Sequence, residues 1–380
     1  MMRTVVRKIR DALFPKDEPL ITISIHKEAL LQNLRAYQRE YPEAEFAPVL
    51  KSNAYGHGLC VVARILEREP IAFFMVDSLY EAKKLRAGGI KKRILVMGYV
   101  RPRTIASNTL SQIDFAITSL SQLKELAGLA TGNTRIHLKI DSGMHRQGIL
   151  PEELDEAIRL IQQNSSLVVS GVCSHFADAD TENSALTRRQ IERFTQAQDA
   201  LVQVFGDIPF RHISATKGAP YLEETGTTVV RLGIGLYGFD TSTTQQMPLK
   251  PALSMHTSVS SVRTVSARES VGYNGTYTTE EEETLATIPT GYYEGVDRAL
   301  SNKGGVYIRG VWCPFRGRVS MNMSTVGVSS VPGILPGDEV LVVSNNASDR
   351  NSVTQMAEDA STTPYVILAH IPEHLKRVVV

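Results

Sequence analysis

The chain has 380 residues, is 42% hydrophobic and carries 41 basic against 40 acidic side chains, for a net charge of +1. That length exceeds what one hydrophobic core usually serves, so two domains are expected. Near-neutrality leaves no whole-protein field to draw nucleic acid or a membrane surface, and a small molecule is the expected partner.

Cys60, Cys173 and Cys313 are widely separated. This usage suits a reducing cytoplasm and argues against a disulfide framework or a paired-thiolate zinc site, so no metal is expected. No apolar stretch approaches the roughly 20 residues of a membrane helix.

In chain order, residues 1–20 form a basic, amphipathic N-terminal extension without the apolar core or small-residue cleavage site of a targeting segment. They read as a surface or docking helix with no assigned function. Residues 21–250 then alternate short apolar runs with helix-patterned segments, the signature of a parallel sheet covered by helices.

The candidate strands are 45–51, 71–77, 93–99, 114–118, 134–141, 167–175, 210–215 and 227–236. Helical patterns cover 26–40, 78–88 and 152–163, the last opening behind Pro151 with acidic residues at the positive helix start. Eight strand-helix units in roughly 215 residues predict a (β/α)8 barrel, with an open doubly wound sheet as the competing assignment.

From 251 to 380 the texture changes to Val/Thr/Ser-rich runs broken by Gly and Asn, at 258–266, 284–289, 305–312, 318–328 and 338–344. They predict a mainly antiparallel β domain. The acidic run 280–283 reads as a solvated loop.

Lys51 ends the apolar run Phe46–Leu50 and leads into Ser-Asn-Ala-Tyr-Gly-His-Gly58. A lysine delivered by a strand into a glycine-flanked turn is placed for Schiff-base chemistry, because an apolar surround favours the neutral amine. Barrel enzymes hold their reacting groups at the C-terminal ends of strands, where Lys51, Arg146, His175, Thr216 and Arg231 are expected. The glycines of Arg231-Leu-Gly-Ile-Gly-Leu-Tyr-Gly238 would let backbone N–H groups approach a phosphate after the last two strands.

Lys51–Gly58 resembles the cofactor-lysine segment of the bacterial alanine racemases. The resemblance continues through Lys139–Arg146, Ser174–Ala177, Arg231–Gly238, Val271–Tyr277, Ile288–Tyr292 and Gly317–Asn322, in order over about residues 21–380. It implies that Lys51 holds pyridoxal 5'-phosphate as a Schiff base and exchanges the α-proton of alanine on one face. Tyr273 matches the opposite base, supplied by the other subunit of a homodimer. His175 matches the histidine that links this tyrosine to Arg231, and Arg231 the residue beside the cofactor's ring nitrogen.

By the same resemblance Tyr55, Thr216, Gly233, Ile234 and Tyr365 hold the phosphate. Arg146 and the backbone of Met321 receive the substrate carboxylate, Tyr292 and Tyr365 narrow the entrance, and Lys139 is the lysine that some members carry as a carbamate. The implied activity is a cytoplasmic alanine racemase supplying D-alanine for peptidoglycan.

Two departures stand out. The family's Met-Asp pair is Met321-Asn322 here, which removes a carboxylate from the substrate side and leaves a broader racemase accepting serine as an alternative. The phosphate loop ends in Thr216 where serine is usual. A non-catalytic barrel binding the same cofactor is a further alternative, although such proteins usually stop after the barrel. A related decarboxylase for basic amino acids lacks its C-terminal motif here.

Overall fold

A computed structural model describes residues 19–181, 184–240 and 247–380. The expected docking helix of the N-terminal extension lies outside these residues.

The eight barrel strands are β2 (Glu45–Pro48), β3 (Phe74–Val76), β4 (Ile94–Val96), β5 (Ile113–Ile117), β6 (Thr134–Lys139), β7 (Leu167–Cys173), β8 (Phe210–His212) and β9 (Val229–Leu232). All fall inside the predicted runs or within a residue of them. All but β5 are shorter than predicted, because the apolar runs extend beyond the ladder bonds into the adjoining loops. Adjacent strands from β3 to β8 pair in parallel, as do β2 and β9. Bridges Val49–Met75 and Ala215–Arg231 close the ring, which excludes the open sheet.

Helix α1 (Lys27–Glu40) precedes β2. Helices α2 (Leu59–Leu66), α3 (Leu79–Ala87), α4 (Pro102–Ala106), α5 (Leu120–Ala127), α6 (Leu154–Gln162), α7 (Ala185–Phe205) and α8 (Leu222–Thr225) each follow one strand, from β2 to β8. Their starts are written in side chains: Ser78 and Glu81 form a reciprocal capping box, and the Ser119 and Ser184 hydroxyls accept from the third residue onward. Strands buried on both faces explain why the barrel segments read as continuous apolar runs.

The second unit is built on a six-stranded sheet in the order β16-β15-β18-β10-β1-β19. Its members are β1 (Thr22–Ile25), β10 (Leu253–Ser258), β15 (Gly305–Ile308), β16 (Val311–Pro314), β18 (Glu339–Val343) and β19 (Lys376–Val379). β11 (Ser261–Val265), β14 (Glu283–Ile288) and β17 (Ser324–Gly327) make a smaller sheet, and β12 (Ser270–Val271) pairs with β13 (Tyr277–Thr278). Among the described residues, every strand-to-strand ladder in this unit is antiparallel except β1 with β19.

Several expectations need correction. β1 lies within the span 21–250 expected for the barrel, yet Ile23 and Ile25 pair with Met255 and Leu253 of β10, so the strand belongs to the second sheet. The single strand expected at 258–266 is the end of β10 and the whole of β11. The one expected at 305–312 is a hairpin, turned at Arg309 and Gly310, both with positive φ.

Of 318–328, only 324–327 is strand; residues 318–323 form a loop. Glu283 is not solvated: its carboxylate accepts from Tyr277 Oη at 2.6 Å and from Arg316 Nε at 2.7 Å. Among the described residues no helix is long and apolar enough to cross a membrane.

Candidate active site

A cavity of about 340 Å³ opens at the C-terminal ends of the barrel strands. Lys51, Tyr55, His175, Thr216, Arg231, Gly233, Ile234 and Tyr365 all line it, together with Met97, Met144, Phe176 and Lys217. Lys51 is carried there by β2, His175 by β7, Thr216 by β8 and Arg231 by β9.

The chain leaves β2 in an unusual way. Ser52, Asn53, Ala54 and Tyr55 hold φ between 51° and 55°, a left-handed turn of four non-glycine residues. Each costs roughly 1–2 kcal/mol relative to the right-handed form. Local bonds offset the strain: Leu50 O accepts from Ala54 N at 2.8 Å, Glu81 Oε1 accepts from Ser52 N at 2.7 Å, and Asn53 Oδ1 accepts from Leu59 N at 2.9 Å.

The turn delivers Tyr55 into the cavity. Its ring packs 4.8 Å from that of Tyr237 and 6.0 Å from that of Tyr365. Burial pushes its phenol above the usual tyrosine range, so it stays protonated and can donate.

Gly233 eases this closeness. A Cβ there would stand 3.1 Å from Tyr55 Oη, in the space between that hydroxyl and Thr216. Thr216 Oγ1 accepts from Gly233 N at 3.2 Å and from Gly235 N at 3.4 Å. The threonine that replaces serine thus still anchors the glycine turn.

Arg231 is 4% exposed and organises the floor. Nη2 donates to His175 Nδ1 at 2.8 Å, and Nη1 donates to His212 Nδ1 at 3.0 Å. Both η nitrogens also donate to carbonyls, of Ile213 and His212 respectively. Burial lowers the guanidinium to about 10, so it is charged at neutral pH. Burial, then the charge of Arg231, pushes His175 down to about 3 and keeps it neutral.

The same bonds continue below the site in residues that sequence reasoning missed. His212 Nε2 lies 2.9 Å from His137 Nδ1, and His137 Nε2 lies 3.3 Å from Asp114 Oδ2. Ser170, Arg93 and Arg135 complete the shell of Asp114. The available signal was one polar residue at an inward position in each of several apolar strands.

Other predicted residues are not brought to the cavity. Arg146 lies exposed in the loop after β6, in a separate cleft with Thr118, Asp141 and His145. Lys139 donates to Gln147 Oε1 at 3.2 Å; burial, and to a lesser extent the nearby Arg146 and Arg231, lowers its pKa, which favours the neutral amine a carbamate requires. Tyr273, Tyr292 and Met321 sit on the second unit, 69%, 43% and 55% exposed.

The arrangement suits an anionic aromatic cofactor. The Lys51 amine, the Arg231 guanidinium, a protonated phenol, a hydroxyl and a glycine turn free of side chains match a phosphate and a ring that needs one cationic neighbour.

Family models match two stretches of the chain: alanine racemase, N-terminal domain, over residues 25–241, and alanine racemase, C-terminal domain, over 252–379. The alanine racemase of Syntrophobacter fumaroxidans is 33% identical over 355 residues, covering 92% of this chain and 94% of that one. Alanine racemase 2 of Bacillus subtilis is 32% identical over 369 residues, covering 94% of each.

Among solved structures, the alanine racemase of Clostridium difficile superposes with a TM-score of 0.89 at 28% identity, covering 96% of this chain and 97% of that one. That of Bacillus anthracis, solved with bound L-Ala-P, has a TM-score of 0.87 at 28% identity, covering 96% and 95%. On these matches the chain belongs to the alanine racemase family of isomerases.

Proposed function

We propose that this chain interconverts L- and D-alanine with pyridoxal 5'-phosphate, using Lys51 and, from a second copy of the chain, Tyr273 as the two bases. The observation that carries the reading is Arg231, charged and buried, bonded to His175 in the cavity that Lys51 lines. The alanine racemase activity for which the relatives are named and the L-Ala-P held by the Bacillus anthracis enzyme support alanine as the substrate.

Pyridoxal phosphate, when bound, supplies the electron sink that makes the substrate's α-proton removable. Lys51 would hold the cofactor and, once the substrate displaces it, take or return the proton at Cα on one face. Tyr55, Thr216, Tyr365 and the main chain at Gly233 and Ile234 would bind the phosphate. Arg231 has no acceptor and remains charged, so a ring nitrogen against it is kept unprotonated. Arg231 would thereby favour return of the proton to Cα over transamination.

His175 carries the link to the second base. Because Nδ1 accepts from Arg231, its proton sits on Nε2, and an N–H donor there stabilises a phenolate brought against it. Tyr273, Tyr292 and Met321 are exposed on this chain's own second unit, which supports a homodimer in which each site is completed by its neighbour. Arg146 and the main chain of Met321 would receive the substrate carboxylate, and Lys139, as a carbamate, would fix Arg146. We place the enzyme in the cytoplasm, supplying D-alanine for peptidoglycan, with a barrel domain that ends near residue 250 and a β domain made by the residues after it together with β1.

Proton NMR of the cofactor-loaded protein with each L-amino acid in deuterated water tests this. Exchange at Cα with loss of optical rotation is expected for alanine. Spread of that activity to serine gives the broader racemase, and no exchange with any amino acid overturns the proposal.

A further inference from the structure

We propose that Glu294 is a positioning residue of the substrate end of the site, and that Asn322 is the amide its charge requires. The inference rests on the proposed function, which places Tyr292 and Met321 at a neighbouring subunit's site.

Glu294 is 7% exposed. Its Oε2 accepts from Gly291 N at 2.9 Å, and its Oε1 accepts from Asn322 Nδ2 at 2.7 Å. One carboxylate therefore joins two segments remote in sequence, the tight turn Tyr292–Glu294 and the loop through Met321.

The main chain reinforces the junction. Tyr292 N donates to Ser320 O at 3.0 Å and Tyr293 N to Met321 O at 2.9 Å. Gly291 admits no side chain, since a Cβ would come within 2.2 Å of Ser320 O and 2.5 Å of Met321 O. Tyr292 and Met321 thus share one clamp, and moving one moves the other.

The chemistry of the clamp explains residue 322. Both partners of the carboxylate are N–H donors. An aspartate at 322 would set a second carboxylate against Glu294, and like charges at that distance cannot both ionise. Asparagine supplies the donor without the charge. The Asn322 amide is therefore committed to Glu294 and is not free to contact a substrate.

The test compares Asn322→Asp, Asn322→Ala, Glu294→Gln and the double variant Glu294→Gln/Asn322→Asp in the full-length, cofactor-loaded enzyme. Asn322→Asp should reduce kcat/KM for alanine about tenfold or more, mostly as a rise in KM, and lower Tm, because an interaction worth about one hydrogen bond to a charged group becomes a repulsion. The double variant, with amide and carboxylate exchanged, should return to within about threefold of wild type, as a restored single bond predicts.

Asn322→Ala should lose less than Asn322→Asp. Cofactor absorbance should be the same in all four variants, as a merely structural defect would not leave it. Wild-type behaviour of Asn322→Asp, or a double variant no better than Asn322→Asp, overturns the inference. If the wild type does not racemise alanine, the proposed function fails by itself, and the Tm cycle still reads the Glu294–Asn322 coupling.

Discussion

His137 Nδ1 and His212 Nε2 stand 2.9 Å apart inside the barrel, and the direction of that bond is set from outside the pair. Arg231 can only donate, so its bond to His212 Nδ1 leaves the His212 proton on Nε2. His212 then donates to His137, whose own proton is left on Nε2 and faces Asp114. The donors run one way, from a guanidinium under the site to a carboxylate deep in the core. Burial alone would raise Asp114; the His137 bond, the Arg93 charge and the Ser170 hydroxyl overcome it and hold the carboxyl at about 2.

His137→Leu removes the acceptor of His212 and a donor of Asp114 together. Leaving the buried His212 N–H without an acceptor, while Asp114 keeps Arg93, Arg135 and Ser170, should cost about 1–3 kcal/mol in denaturant unfolding, and should erase the downfield histidine N–H resonance of the native pair. An unfolding free energy within about 0.5 kcal/mol of wild type would show that the line of bonds is energetically idle.

Lys51→Ala should remove covalent attachment of pyridoxal phosphate. After borohydride reduction, mass spectrometry should find the cofactor added to wild type at Lys51 and to no residue of the variant. Persistent labelling of the variant would move the anchor elsewhere.

Tyr273→Phe should divide the two directions of the reaction. A base acting on one face predicts that α-deuterium exchange from one enantiomer falls by about 100-fold or more while exchange from the other falls far less. Small and equal losses would exclude Tyr273 from proton transfer.

Acid should destabilise the fold through its buried imidazoles. Burial lowers His57 from 6.5 to about 4, so on acidification the unfolded chain takes up the proton first. Stability present above the unfolded value is lost as pH falls from about 6.5 toward about 4, amounting to about 2 kcal/mol for this ring at about pH 5. His175, lowered to about 3, acts in the same sense. Tm should drop between about pH 7 and about pH 5, and His57→Gln should flatten that drop; an unchanged slope would assign the acid sensitivity to other groups.

The barrel was legible because its strands are buried on both faces and so form apolar runs, each ended by loop residues. Lys51 was legible for the same reason, as a cation where such a run stops. The assignment of β1 was not, since a four-residue strand carries no mark of a partner more than two hundred residues away. The 305–314 hairpin was only half legible, since Gly310 suits a positive φ whereas Arg309, which also adopts one, gives no sign of it. Tyr273 drew notice only by resemblance, because nothing local distinguishes one exposed tyrosine from another. Glu294 was lost inside a short motif, as its meaning depends on how two separate loops meet.

The seating of β1 between β10 and β19 bears on how the protein is made. At a synthesis rate of about 5–20 residues per second, β1 leaves the ribosome roughly 10–45 s before β10, and its parallel neighbour β19 follows later still. For that interval Ile23 and Ile25, fully buried in the finished sheet, have nothing to pair with. The barrel strands are all made while β1 waits, so the nascent chain carries an unpaired apolar strand until β10 emerges.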